Sequence, residues 1–313
     1  MNILVSGLGG GLDVVNSLLP YFAAEEDKKN VFIGSIRPIP LSSLENHVPF
    51  GDSGTLVNSK TTVAYRTRFI EPEVSKHLGK EVFLFSRKYF GRTDLPRLRN
   101  AIEESKRQYA IKNILFVDAG GDSLIFKKED VHPDGEKEGD IFNPFAGGDA
   151  ESLSAIEGMQ NVYLGIVSVG LDILEEKFHE NLALLQEQKI YKGKINLVTG
   201  ERKNYCLEQL ISFSNPKKIL ANYSSVAKKM LVFNEQQISE KGRMISHTAP
   251  VTYYAMQKEY GMHRTYVPWE PKVNDELGVI VKPEHSWMYF FDAGKINKVK
   301  KEIQAKIETS FPR

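Results

Sequence analysis

Short apolar runs alternate with segments of helical spacing along the first two thirds of the chain. Each run is a few residues long and ends near glycine, serine or aspartate, which is typical of strands buried in a sheet. The segments between the runs place apolar residues three and four positions apart, which predicts helices. The predicted strands cover residues 3–5, 31–33, 61–67, 82–85, 114–117, 162–169, 195–198 and 288–291.

Strands that alternate with helices predict βαβ units and a parallel sheet. Because the strands are continuously apolar, we expect helices to cover the sheet on both faces. The predicted fold class is therefore α/β with a doubly wound, mainly parallel sheet. The C-terminal third elaborates this fold, with a helical region near residues 207–232 and a basic amphipathic helix over 295–307 whose charged face we expect to be solvated. We expect a single domain over residues 1–313 and leave open a sub-boundary near residue 200.

Local signals predict where some elements begin and end. Thr93 or Asp94 can cap a helix with Pro96 in its first turn, which we expect to run to about Tyr109. Pro20 should end or kink the first helix, because proline lacks the N–H that an interior helical position donates. Residues 37–60 are rich in proline and glycine and are predicted to form a long loop.

Four turns combine glycine with aspartate, and three of them directly follow a predicted strand. All strands of a parallel sheet end at one edge, and ligands bind in the crevice outside that edge. Glycine lets the backbone approach a ligand closely, and helix N-termini offer free N–H groups to a phosphate. Several carboxylates at the same edge can hold a divalent cation. The turns are Gly9-Gly10-Gly11-Leu12-Asp13, Asp118-Ala119-Gly120-Gly121-Asp122, Gly147-Gly148-Asp149 and Gly170-Leu171-Asp172.

These turns supply the candidate site residues. The backbone of the first turn is assigned to a phosphate, and two arginines near strand ends are expected to neutralise the remaining charge of the ligand. Asp149 is interpreted instead as a plain helix cap, because Ser152 and Ala155 continue a good helix. The candidates are Gly7, Gly9, Gly10, Gly11, Arg37 and Arg87 for the cofactor or ligand, Asp13, Asp118, Asp122 and Asp172 for a cation, and Asp118 and Asp122 for catalysis.

Composition narrows the classes of function. Lysine plus arginine number 41 and aspartate plus glutamate 40, a net charge of +1 that argues against a nucleic-acid partner. A single cysteine excludes a disulfide within the chain and cysteine-rich metal sites. No apolar run is long enough to span a bilayer, and the N-terminus has no basic leader, so we expect a cytoplasmic protein without a membrane partner.

Known motifs match the first turn only in part. Residues 7–12 resemble the dinucleotide fingerprint, but Leu12 stands at the position of its last glycine. Arg37 would suit a 2′-phosphate, so NADP stays an alternative and NAD is less favoured. Residues 10–13 also resemble the SGGxDS loop of ATP pyrophosphatases, with Gly9 and Val14 in place of its serines. The P-loop and GxSxG patterns are absent from the sequence, which argues against P-loop NTPases and ordinary α/β-hydrolases.

The same turns carry a family resemblance, which covers roughly the first 200 residues. Their order resembles that of an uncharacterised microbial family, domain of unknown function 1152. Leu12 replaces a glycine of the family pattern, and Ile173-Leu174 stand where Gly-Glu is expected. The resemblance implies a Rossmann-like α/β fold without an established activity. It is carried by Gly7-Leu8-Gly9-Gly10-Gly11-Leu12-Asp13-Val14-Val15, Phe116-Val117-Asp118-Ala119-Gly120-Gly121-Asp122 and Gly170-Leu171-Asp172.

Three functions remain open from the sequence. The first is an enzyme that binds a phosphorylated or nucleotide metabolite together with Mg²⁺ or another divalent cation at the carboxyl ends of the strands. The second is a non-catalytic ligand sensor or scaffold on the same fold. The third is an NADP-dependent oxidoreductase. All three predict a small-molecule ligand, and a homo-oligomer is left open.

Overall fold

The computed structural model describes residues 1–9, 13–64, 69–89, 92–130, 143–145, 147–167, 169, 173–239, 269–270, 280–281 and 287–310. The helices are α1 (Asp13–Glu26), α2 (Glu71–Leu78), α3 (Leu95–Gln108), α4 (Gly148–Ala155), α5 (Glu175–Glu187), α6 (Pro216–Ser239) and α7 (Ala293–Ser310). The strands are β1 (Asn2–Gly7), β2 (Asn30–Arg37), β3 (Leu44–Glu45), β4 (Val48–Phe50), β5 (Gly54–Val57), β6 (Thr62–Val63), β7 (Val82–Ser86), β8 (Lys88–Tyr89), β9 (Arg92–Thr93), β10 (Asn113–Ala119), β11 (Val162–Val167), β12 (Tyr191–Asn196), β13 (Arg202–Lys203), β14 (Trp269–Glu270), β15 (Ile280–Val281) and β16 (Trp287–Asp292).

One ten-stranded sheet forms the centre of the molecule, in the order β13-β12-β16-β11-β10-β1-β2-β7-β5-β4. The five strands β11, β10, β1, β2 and β7 are parallel, and antiparallel pairs extend the sheet on both sides. From β1 the chain proceeds to β2 and β7, then returns to the other side of β1 as β10 and β11. This order confirms the Rossmann-like α/β fold and places its topological switch point between β1 and β10, where such sheets open a crevice for ligands.

Helices cover both faces of this sheet and bury its apolar strands. Helices α1, α2 and α6 pack on one face, and α3, α4, α5 and α7 pack on the other. Side chains of each strand alternate between the two cores, as the pleat requires. The core of the first face includes Leu18, Val74 and Tyr223, and that of the second includes Leu98, Leu153, Phe178 and Ile296.

One local prediction was wrong. Residues 37–60 do not form a plain loop, because β4 and β5 pair as a hairpin on β7 and bury Phe50 and Leu56. Of the two outcomes predicted at Pro20, the end of the helix is excluded, because α1 continues to Glu26. Burial of that helix between the sheet and α6 outweighs the roughly 3 kcal/mol that an interior proline costs.

Helix starts follow cap chemistry where the sequence offers it. Asp94 accepts a hydrogen bond from the backbone N–H of Arg97 at 3.1 Å, which confirms the predicted start of α3. Helix α6 begins at Pro216, later than predicted, with Asn215 accepting from the N–H of Lys218 at 3.3 Å. An asparagine before a proline is a helix-start signal that the broader apolar pattern had hidden.

The C-terminal segment completes the sheet. Strand β16, predicted from its apolar run, lies antiparallel between β11 and β12. Helix α7 follows it directly and packs on α4 and β11. Of the described helices, none is at once long enough and apolar enough to cross a membrane.

Candidate functional site

Three carboxylates meet at the carboxyl ends of the strands, beside the switch point. Asp118 lies near the end of β10, Asp122 opens the short 3₁₀ turn that follows, and Asp149 lies in the first turn of α4. One oxygen of each lies within 4.8 Å of an oxygen of the others. We call these three residues the aspartate cluster.

Asp118 is held rigidly by its own turn. Its Oδ1 accepts a hydrogen bond from the N–H of Gly121 at 3.4 Å. Its Oδ2 accepts from the N–H of Ser123 at 3.2 Å and from the Ser123 hydroxyl. Gly121 has a φ of +91°, the left-handed region that glycine adopts without strain, and this conformation turns the chain back toward Asp118.

Asp122 and Asp149 lie close together across the turn, and the charge of Asp122 raises the pKa of Asp149. Oδ1 of Asp122 is buried and has no hydrogen-bond partner among the described residues. The interpretation of Asp149 as a plain cap was wrong, because the N-cap of α4 is Gly147 and no side chain caps that helix. Asp149 and Asp122 both follow two glycines, and this shared Gly-Gly-Asp pattern was the sequence signal that the two residues lie together.

Gly9, the first residue of the first glycine turn, packs directly against this cluster. Gly9 donates its N–H to Oδ2 of Asp13 at 3.0 Å, and Asp13 begins α1. A β-carbon at Gly9 would collide with the carboxylate of Asp149 and lie 2.9 Å from Oδ2 of Asp13. A β-carbon at Gly7 would collide with Asp13 and the N-terminal backbone of α1. Glycine at position 7 is therefore required for the close approach of β1 and α1, and glycine at position 9 leaves room for the Asp149 carboxylate.

Burial makes ionisation of the cluster unfavourable. Burial first, and then the charge of Asp122, raises the pKa of Asp118 to about 7, against the hydrogen bonds from Ser123 and Gly121. The pKa of Asp149 is also raised well above its usual range, by burial and then by the charges of Asp122, Asp13 and Asp118. Buried carboxylates that lie this close together repel each other when both are ionised, so a proton or a bound cation between them is stabilising.

The two candidate arginines lie on opposite faces of the sheet. The Nη1 atom of Arg87 contacts Oε2 of Glu151 at 3.1 Å, and its guanidinium lies against Gly148, on the same face as the aspartate cluster. Arg37 is buried on the other face, 3.4 Å from Glu71 of α2. The structure brings Arg87 to the cluster and does not bring Arg37 there.

One residue near the cluster was missed from the sequence. Lys300 of α7 is fully buried, and its ammonium interacts electrostatically with Asp122, Asp118 and Asp149. The prediction that the charged face of this helix is solvated was wrong at Lys300. This lysine lies four residues after Ile296 and three before Ile303, so the apolar spacing of the helix already placed it on the buried face.

Three candidates lie outside the described residues: Gly10, Gly11 and Asp172. Of the remaining candidates, Gly7, Gly9, Asp13, Asp118, Asp122 and Arg87 lie at or beside the cluster.

Comparison with known proteins gives a family and no activity. No curated protein and no solved structure shows significant similarity to the chain. The model of one family, described as protein of unknown function (DUF1152), matches residues 4–211. The match spans well over half of the chain and includes β1, β10, β11 and all three aspartates of the cluster. The chain therefore belongs to the DUF1152 family of proteins of unknown function.

Proposed function

We propose that the aspartate cluster binds a divalent cation such as Mg²⁺, and that the cation and the adjoining glycine turn bind the phosphorylated part of a small metabolite, for example a nucleotide. The observation that carries this proposal is the convergence of Asp118, Asp122 and Asp149 at the switch point. Carboxylate oxygens are the ligands that Mg²⁺ and Ca²⁺ prefer in proteins.

The bonding of the cluster oxygens favours cation binding over a purely structural role for these aspartates. Oδ1 of Asp122 is buried and unpartnered among the described residues, so it is available as a ligand. Burial raises the pKa of Asp118 and of Asp149, so these carboxylates are more stable with a proton or a cation bound. A divalent cation would stabilise their ionised form in place of the proton.

The surroundings of the cluster support an anionic ligand. The first turns of α1 and α4 both begin here, at Asp13 and Gly148, and their backbone N–H groups and dipoles favour a phosphate. The guanidinium of Arg87 adds positive charge beside α4. A cation that bridges aspartates and phosphate oxygens is the usual arrangement in phosphoryl-transfer sites, in which Asp118 or Asp122 can also exchange a proton with the ligand.

The same residues give less support to an NADP-dependent oxidoreductase and do not distinguish a non-catalytic sensor from an enzyme. Arg37, which an NADP site would place on the 2′-phosphate, is buried against Glu71 on the other face of the sheet. A non-catalytic sensor would use the same cation and phosphate contacts, so turnover and not binding distinguishes it from an enzyme.

Cation binding is tested on metal-stripped protein by calorimetry and by the melting temperature with added Mg²⁺ or Mn²⁺. We expect both ions to bind and to raise the melting temperature, because a ligand that binds only the folded state stabilises it. Replacement of one ligand, as in Asp118→Asn, Asp122→Asn or Asp149→Asn, should weaken the affinity by about tenfold or more. Nucleotides and sugar phosphates are then added to the cation-loaded protein in the same assay.

Asp52→Asn is the matched control. Asp52 is 69 % exposed and lies 3.4 Å from Arg97, away from the cluster, so its loss should leave cation affinity unchanged. Wild-type protein that binds neither ion, or cluster variants that bind as well as Asp52→Asn, would refute the proposed function.

A further inference from the structure

Lys300 is more buried and less bonded than a charged side chain ordinarily is. Its side chain is 0 % exposed. Its ammonium donates one hydrogen bond, to the carbonyl of Pro144 at a long 3.3 Å, and lies 5.7 Å from the centre of the Phe126 ring. Among the described residues, no carboxylate forms an ion pair with it. Because an ammonium has three N–H donors, two donors of Lys300 have no acceptor among the residues that the structure describes.

Helix α7 holds Lys300 in this position from both sides. One turn before it, Asn297 donates to the hydroxyl of Ser154 in α4 at 2.9 Å. One turn after it, Gln304 donates to the carbonyl of Phe126. The ammonium therefore lies between the segment that follows Asp122 and the segment that leads into α4 and Asp149.

The contacts of α7 with Ser154, Pro144 and Phe126 place this ammonium beside the aspartate cluster. Burial lowers the pKa of Lys300 to about 8, although the charges of Asp122, Asp118, Asp149 and Asp130 act to raise it. An incompletely bonded buried charge is costly, and natural proteins retain one where a partner completes its bonding. A partner that completes the bonding accepts hydrogen bonds, and negative charge on that partner would offset the buried ammonium.

We propose that Lys300 binds a phosphoryl oxygen of the ligand, on the side of the aspartate cluster that faces α7. The inference rests on the proposed function, because the cation supplies the second contact to the same phosphoryl group. A phosphoryl group has several oxygens, so it can contact the cation with one and the Lys300 ammonium with another. The site then includes a residue that lies outside the segment matched by the family model.

A purely structural counter-charge is the competing explanation. Such a lysine would offset the charge of the aspartates, and its loss would change stability and cation affinity but not affinity for an added anion. The two explanations therefore differ in the affinity for phosphate at saturating cation.

The experiment uses the full-length protein, stripped of metal, with Mn²⁺ and inorganic phosphate as probes. Mn²⁺ affinity is measured first, by calorimetry and by the electron paramagnetic resonance of free Mn²⁺. Phosphate affinity is then measured with the protein saturated by Mn²⁺. The variants are Lys300→Met and Lys300→Gln, with Lys301→Met as control, because Lys301 is 58 % exposed and pairs with Glu157 at the surface.

We expect the Lys300 variants to bind phosphate about tenfold to a hundredfold more weakly, the range for loss of a hydrogen bond to a charged group. Their Mn²⁺ affinity should be equal or higher, because the ammonium repels a cation near the aspartates. The Lys301→Met variant should match the wild type in both measurements.

Unchanged phosphate affinity in Lys300→Met would overturn the role of Lys300 while leaving the proposed function in place. Absence of Mn²⁺ binding in the wild type would instead refute the proposed function, and the phosphate titration without metal would then test Lys300 alone. If neither Lys300 variant folds, a crystal of the wild type soaked in Mn²⁺ and phosphate decides, and a phosphate absent from hydrogen-bond distance of Nζ overturns the inference.

Discussion

A carboxyl group without access to water is more stable when it is neutral, and two members of the aspartate cluster are in this condition. Asp118 is fully buried, and the pKa values of Asp118 and Asp149 are both raised. At neutral pH the cation-free cluster therefore competes for protons. Cation binding should release protons, and it should strengthen as pH rises.

The same shift predicts how stability depends on pH. The folded state holds the proton of Asp118 up to a pKa of about 7, whereas the unfolded state releases it near 3.8. Between these values the folded state binds more protons, so stability is greatest at the acid end and falls as pH rises toward 7. Cation-free protein should melt several degrees lower at pH 7.5 than at pH 5.5, as measured by circular dichroism.

The control for this dependence is Asp118→Asn, whose side chain cannot titrate. We expect its melting temperature to vary less over the same pH range, and saturating Mg²⁺ to flatten the wild-type profile as well. The lowered pKa values of His47, His77 and Lys300 act in the opposite direction in both proteins, so the test is the difference between them. A difference in melting temperature between wild type and Asp118→Asn that does not change from pH 5.5 to 7.5 would contradict the assignment.

Single residues were predictable where their chemistry repeats in the sequence. Asp13 and Asp122 follow glycines at the end of a strand, and Asp118 directly follows the predicted strand 114–117 in the same turn as Asp122. The structure places all three at one edge of the sheet. Asp149 also follows two glycines, but a good helix after it favoured the simpler interpretation as a cap. Lys300 could not be linked to the cluster from sequence, because only the packing of α7 on α4 brings the two together.

At the scale of elements, the turn after β1 needs a glycine at position 9 to approach Asp149. Gly9 lies so close to Asp149 that a β-carbon there would displace the Asp149 carboxylate. Glycine at this position therefore leaves room for one of the proposed cation ligands.

Gly9→Ala should therefore weaken Mg²⁺ binding by more than about tenfold and lower stability by roughly 1–3 kcal/mol, the usual cost of overpacking. Calorimetry and chemical denaturation measure the two effects. The control is Gly54→Ala in β5, where a β-carbon would collide with Phe50 far from the cluster. It should lower stability and keep the affinity for Mg²⁺. Equal loss of affinity in both variants would show that overpacking alone, and not the contact with Asp149, explains the effect.

Elements were predictable where periodicity is long and undisturbed. The strands β1, β2, β7, β10 and β11 and helix α3 follow from continuous apolar runs and a clear cap. The strand predicted over 195–198 overlaps β12 only at its last two residues, because Tyr191–Asn196 carries no continuous apolar run. The hairpin of β4 and β5 was not predictable, because its short strands lie among prolines and glycines and become stable only by pairing with β7. Helix α1 passes through Pro20 for a similar reason, since tertiary burial overrides a local preference.

At the scale of the whole molecule, the sheet joins distant parts of the chain. Strand β16 lies between β11 and β12 and contributes Met288, Phe290 and Phe291, all fully buried, to the core. Its position was not predictable from its apolar run, because an antiparallel insertion depends on which edges the other strands leave unpaired.

Residues 287–313 are part of the folded core, so their removal should prevent cooperative folding. The truncated chain loses an internal strand of the sheet, and β11 and β12 are left with open edges. We expect it to aggregate or to unfold without a sharp transition in circular dichroism, and to lose Mn²⁺ binding. The full chain with Lys301→Met serves as control, since it changes only an exposed pair on the same segment. A truncated chain that melts cooperatively would contradict this role of β16.

The place of β16 also has a consequence for biosynthesis. As the ribosome extends the chain, β11 and β12 emerge long before the strand that belongs between them. A nascent intermediate must wait with two hydrogen-bonding edges unsatisfied, the condition in which edge-to-edge association with other chains is fastest. Chaperones that shield such edges should therefore increase the yield of folded protein. The increase should be larger than for a Rossmann-like protein in which no late strand inserts between two earlier ones.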